Sequence, residues 1–176
     1  MLWARRELLD ELPPFLGGGE MIETVSMETA TYAAPPHKFE AGTPMIAEAV
    51  GLHAAIDYLR DIGLDAIRAH EKELTAYALN ALPDVPGLRV VGPRTPVGRG
   101  GAISFTMAEL HPHDIGQVLD ELAIAVRVGQ HCAAPVCRRL GVPATTRASF
   151  YLYTTTAEVD ALVEGLHHVR RFFRVA

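Results

Sequence analysis

Hydrophobic positions recur at helical spacing over three long stretches of the chain. From Thr43 onward, Ile46, Val50, Ile56 and Leu59 return roughly once per turn, with Thr43 placed to cap the helix, Pro44 at its first position and Gly63 past its end. A second helix is predicted from Leu64 through Ile67, Leu74, Ala78 and Leu82, ending at Pro83, so that the two form a helical hairpin. The third lies at the far end, where Thr155 and Glu158 make a capping box ahead of Val159, Leu162, Leu166, Val169 and Phe173. Between them the period shortens. LRVVG and AISFTM read as strands, HPHDIGQVLDEL as a helix with Ile115, Val118, Leu119 and Leu122 on one face, and IAVRVG as a third strand. PVCRRLG opens a short helix at Pro135, and TTRASFYLY reads as a fourth strand. The predicted class is therefore α/β, a small mixed or antiparallel sheet covered by helices.

Residues 1–45 follow a different pattern. WARRELLDEL is a short amphipathic stretch stopped by Pro13 and Pro14, three consecutive glycines follow at 17–19, and the segment around Pro35 and Pro36 is rich in Thr, Val, Tyr and Ala. Two extended segments forming an arm are expected, with the domain proper over residues 46–176.

Composition narrows the function classes. The chain has 176 residues, 49% of them hydrophobic, which is enough for one domain with a sizeable core. Sixteen basic against 21 acidic side chains give a net charge of -5, and no basic run is present to neutralise a row of phosphates, so nucleic acid is not an expected partner. No apolar stretch approaches the roughly 20 residues of a membrane span, and the N-terminus lacks the apolar core of a signal peptide. No membrane partner and a cytoplasmic location are the resulting expectations.

The chemistry concentrates in RVGQHCAAPVCRRLG, residues 127–141, which holds both cysteines of the chain. Cys132 follows a strand and precedes a short helix. Unpaired N–H groups and the adjacent His131 would favour its thiolate there, and a buried, inert thiol is the competing reading. Cys137, inside the short helix beside Arg138 and Arg139, reads as packed. His131, Cys132 and Cys137 lack a second close-spaced ligand pair, so no metal site is expected. Arg147 sits in an apolar strand, where a guanidinium needs an anion; it serves either as a bidentate clamp on a carboxylate or as one half of an internal salt bridge, and Arg127, closing another strand, could do either. Of the other histidines, His111, His113, His167 and His168 lie in helix-start or surface-like contexts. FEAGTP places Gly42 and Thr43 where a helix begins, a position able to hold a phosphate and equally explained by capping.

Taken in order, LLDELPPFLGGGEMI, FEAGTP, IAVRVGQHCAAP and TRASFYLYTTTAEVDALVEGL resemble the C-terminal part of the class V aminotransferase-like, pyridoxal-phosphate-dependent cysteine desulfurases of the SUF type, a group that includes selenocysteine lyases. The resemblance covers nearly the whole chain. It implies the small C-terminal domain of a fold-type I enzyme plus a hairpin arm left at the large-domain boundary. It also implies that Cys132 takes sulfur from L-cysteine as a persulfide, giving alanine, that Arg147 binds the substrate carboxylate, and that Arg127 and His131 line the pocket. Gly42 and Thr43 would face the cofactor phosphate, Thr43 across a homodimer, and the sulfur would pass to an acceptor protein of the SUF type for iron–sulfur cluster assembly. The lysine that holds pyridoxal 5'-phosphate in that family lies upstream of the matched motifs. Lys38 and Lys72, the two lysines of this chain, match neither its position nor its motif, so the chain alone is expected to be inactive. Two alternatives remain at this point, a selenocysteine lyase and a non-catalytic dimerisation or sulfur-accepting module.

Overall fold

The computed structural model describes residues 1–175, which divide into two compact units, the second beginning at Arg60. In the first unit, α1 (Arg6–Glu11) is followed by a two-stranded antiparallel hairpin of β1 (Ile22–Val25) and β2 (Ala30–Tyr32). The arm is tied together by polar contacts. Lys38 Nζ donates to the carbonyls of Leu9, Asp10 and Leu12 at 3.0, 2.9 and 3.2 Å, capping the C-terminus of α1, and Arg6 reaches the Pro35 carbonyl at 3.2 Å. Lysine at a helix C-terminus meets both its orphan carbonyls and the negative end of its dipole.

Helix α2 (Ile46–Ile62) starts later than its sequence suggests. Gly42 and Thr43 form a bend ahead of it, and the first helical hydrogen bond described runs from Ala49 N to Met45 O, so Thr43 is not the capping residue. No residue of α2 is buried.

The second unit is one sheet with three of its four named helices layered on one face. Gly63, at φ 90°, supplies the positive backbone angle that separates α2 from α3 (Leu64–Ala81). The sheet then assembles from β3 (Leu88–Val91), β4 (Ala102–Met107), β5 (Arg127–Gly129) and β6 (Thr145–Ser149) in the order β3-β4-β6-β5, antiparallel throughout. Of the two sheet types left open by the sequence, the antiparallel one forms. Helix α4 (Pro112–Glu121) bridges β4 and β5, α5 (Ala134–Arg139) bridges β5 and β6, and α6 (Thr156–Phe173) follows β6.

Strand alternation decides what each face does. Val90, Ile103, Phe105, Met107 and Ala148 point to the face packed by α3, α4 and α6, which contribute Leu74, Ala78, Ile115, Leu119, Val159, Leu162, Leu166 and Val169 to one continuous core. The opposite face carries Ser104, Thr145, Arg147 and Arg127. The capping box of α6 forms as read, with Thr155 N donating to Glu158 Oε2 at 2.7 Å and Glu158 N to Thr155 Oγ1 at 3.4 Å.

Both site strands are shorter than their apolar runs. Before β5, Ala123 takes φ 59° and Ile124 N donates back to the Leu119 carbonyl at 2.9 Å, closing the end of α4, and residues 124–126 lie outside the strand. After β6, Tyr151 N donates to Thr154 Oγ1, turning the chain toward α6 and ending the ladder before Tyr151. Leu122 falls outside α4 and is exposed. No described helix is long and apolar enough to cross a membrane.

Candidate active site

The open face of the sheet gathers four of the six candidate residues. β5 and β6 pair so that Arg127 lies directly opposite Arg147, and directly opposed residues in an antiparallel pair present their side chains on the same face. Two guanidinium groups in that relation repel unless an anion lies between them. No acidic partner is described for either, and Arg147 Nε is buried with no hydrogen-bond partner among the described residues. A buried donor without an acceptor costs about 1–3 kcal/mol. The internal salt bridge considered for Arg147 is therefore not formed, and its donors are free to take up a carboxylate.

Cys132 is presented by a tight turn. Ala133 N donates to the Gln130 carbonyl at 2.9 Å, closing a four-residue turn whose central residues, His131 and Cys132, have φ 55° and 59°. Positive φ at both central positions is the pattern of a type I′ turn, which favours Asn and Gly. Histidine and cysteine hold it at a cost of order 1 kcal/mol or more each. The thiol is exposed, and Arg127 Nη2 donates to its Sγ at 3.5 Å.

His131 turns away from the sulfur. Its Nε2 lies 2.7 Å from Thr145 Oγ1, and its Nδ1 is buried without a partner. Burial first, then the charges of Arg147 and Arg127, push the imidazole below its ordinary value, against a smaller opposing contribution from the Thr145 backbone. A proton on Nδ1 would be a buried donor with nothing to receive it, so the neutral ring is favoured. The supporting positive charge beside Cys132 comes from Arg127 instead.

Cys137 is buried, 3.9 Å from the Gln130 carbonyl, in agreement with a packed thiol. Thr145 was not singled out by the sequence. Its signal was the alternation in TTRAS, which puts residues 145 and 147 on one face once β6 is recognised as half-buried.

Gly42 and Thr43 belong to the first unit. The Gly42 N–H already donates to the Gly19 carbonyl at 3.0 Å, while the exposed Thr43 has no described partner for its hydroxyl or its N–H. Lys38 has its ammonium held by three carbonyls, and Lys72 lies exposed in the middle of α3. These residues do not make a complete cradle for pyridoxal 5'-phosphate: the Gly42 N–H is engaged by Gly19 and the Lys38 ammonium by three carbonyls. No cluster of three or more metal-ligating side chains occurs among the described residues.

The helix-backed antiparallel sheet that carries these residues has counterparts among known proteins. Residues 1–162 match the aminotransferase class-V family, and the chain belongs to it. The chain is 69% identical over 173 residues to a probable cysteine desulfurase of Streptomyces coelicolor and 54% identical over 173 residues to a probable cysteine desulfurase of Mycobacterium leprae, each match covering 98% of this chain and 41% of the relative. Among solved structures it superposes on the cysteine desulfurase CsdA of Escherichia coli, crystallised in an S-sulfonic acid form, with TM-score 0.86 at 36% identity, over 97% of this chain and 42% of that one. An apo cysteine desulfurase from Thermococcus onnurineus gives TM-score 0.87 at 38% identity, again over 97% and 42%. The chain thus spans about two-fifths of the length of the relatives it matches. These shares measure how much of each relative is matched and not which end, so they do not carry the C-terminal placement expected from the resemblance.

Proposed function

We propose that this chain supplies the sulfur-accepting thiol and the carboxylate clamp of a cysteine desulfurase, with L-cysteine as substrate and alanine as product. The observation that carries the reading is Arg147, whose buried Nε is unpartnered on the same face as the Cys132 turn. A planar guanidinium with free donors fixes a carboxylate by two parallel hydrogen bonds, and so fixes the rest of a small amino acid relative to the turn. Cys132, exposed and set on a strained turn, is placed to attack a sulfur atom presented to it. Cofactor binding falls to residues other than Lys38, Lys72 and Gly42, and the complete enzyme provides them. In the complete enzyme the reading extends to a homodimer and to a sulfur-acceptor protein serving iron–sulfur cluster assembly.

The test is Arg147→Lys in the complete enzyme. An ammonium is a point charge and cannot copy the two-bond fork, so KM for L-cysteine rises by an order of magnitude or more while the melting temperature moves little. A collapsed melting temperature with unchanged KM in the surviving folded protein would make Arg147 a structural residue and end the proposal. Running L-selenocysteine alongside separates the two related activities.

A further inference from the structure

We infer that Arg127 is the positioning residue for the Cys132 sulfur, a task distinct from that of its cross-strand neighbour Arg147. The inference rests on the reading of Cys132 as a sulfur acceptor; the contact itself does not depend on that reading.

Three observations separate the two arginines. Their strand register makes them equivalent, directly opposed on one face of the sheet, yet their partners differ. Arg127 donates through Nη2 to Sγ at 3.5 Å, whereas Arg147 has a buried Nε with no partner. The second observation is the turn. With both His131 and Cys132 at positive φ, the chain reverses within four residues after β5, and this brings the thiol of residue 132 back beside the side chain of residue 127. An extended or helical continuation would carry the two apart, since five residues of extended chain span about 16 Å. The turn therefore sets the contact of Arg127 with sulfur. The third is His131, the residue next to the thiol in sequence, whose ring is committed to Thr145. Arg127 is the one cation described in contact with Sγ.

The resulting division of labour is specific. Arg127 holds the sulfur, in whatever anionic form it takes, and Arg147 keeps its donors for the substrate carboxylate. Two adjacent like charges are then useful because each faces a different anion.

The experiment uses this chain and needs no turnover. Cys132 is alkylated with iodoacetamide, which is neutral, and with iodoacetate, which is anionic, at one pH and low ionic strength, and labelling is followed by timed peptide mapping. The fraction of thiolate and the exposure of the loop affect both reagents alike, so the ratio of the two rates reports the positive charge beside Sγ. In the wild-type chain the iodoacetate-to-iodoacetamide ratio at Cys132 exceeds that at Cys137 and falls toward it in 1 M salt, where the screening length is about 3 Å. Arg127→Gln lowers the Cys132 ratio on the order of fivefold, the scale of one unit charge a few ångströms away in high dielectric. Arg127→Lys retains most of it, and Arg147→Gln lowers it distinctly less than Arg127→Gln. The inference is overturned if Arg127→Gln leaves the ratio unchanged, if Arg147→Gln lowers it equally, or if the wild-type ratio ignores salt. The salt arm requires no variant and so stands whether or not Arg127→Gln folds. A desulfurase reading that fails on KM leaves these ratios as they are, and ratios that fail leave the Arg147 KM test intact, so the two failures are distinguishable.

Discussion

At the scale of single residues the site is held by backbone angles that its side chains do not favour. Cys132 at φ 59° is exposed, so replacing it creates no cavity, and the backbone effect can be isolated. Cys132→Gly is expected to be as stable as Cys132→Ala or more so, by about 1 kcal/mol in urea melts, reversing the usual order in which glycine destabilises through the entropy of its unfolded chain. Alanine more stable than glycine would show that the turn is unstrained. His131 makes a pH-dependent contribution. Its folded value lies below its unfolded one, so the unfolded chain binds the extra proton and stability is lost as pH falls through the ordinary imidazole range near 6.5 toward the folded value. His131→Gln, which retains a polar partner for Thr145, should flatten that part of the stability profile; an unchanged slope would assign it to other groups. Of these residues the sequence marked Cys132, His131, Arg127 and Arg147 by their chemistry. It could not mark the turn, because a type I′ pair is normally announced by Asn or Gly and here is His-Cys.

Elements were legible wherever a period persisted for several turns. α3 and α6 match their hydrophobic spacing, and the Thr155–Glu158 box begins α6 where the motif places it. Thr155→Ala should cost about 1 kcal/mol, read as a lower urea midpoint at unchanged slope. The misreadings share a cause. Apolar residues at 124–126 and 151–153 continue a strand-like run, but Ile124 N is engaged by the end of α4 and Tyr151 N by Thr154, and periodicity contains no information about those partners. Likewise α2 shows helical spacing without burying a residue, since spacing predicts an apolar face and not what covers it. Within α6, Gly165 is a packing requirement that periodicity passes over. A Cβ there would meet Ile124 Cδ1 at 2.7 Å and Leu119 Cδ2 at 2.8 Å, so the helix approaches α4 and the segment after it at glycine distance. Gly165→Ala therefore destabilises by about 1–3 kcal/mol even though alanine is the better helix former. A stabilising outcome would mean that both side chains move aside freely.

For the chain as a whole, the layer that covers the sheet is assembled from distant parts of the sequence. His70 on α3 bonds the Thr154 carbonyl just ahead of α6 at 2.9 Å, and Arg170 on α6 bonds the Pro86 carbonyl at 2.6 Å; each pair is 84 residues apart. The site is built on the open face of the same sheet, so its geometry depends on a core that α6 completes with Val159, Leu162, Leu166 and Val169, all buried. The α/β class and a small helix-backed sheet, mixed or antiparallel, could be anticipated, because alternation and helical spacing are local. The strand order β3-β4-β6-β5, which sets Arg127 against Arg147, is a long-range choice that local patterns leave undetermined. Leu166→Ala tests the dependence: it should cost about 2–5 kcal/mol in urea melts and lower the protection of Cys137 from alkylation in proportion. Sequence separation also has a consequence in time. During synthesis β4 emerges well before α6, and at about 5–20 residues per second Phe105 and its neighbours wait seconds for the helix that buries them. For that interval the nascent chain displays an apolar strand with no cover, which is when a chaperone would find it.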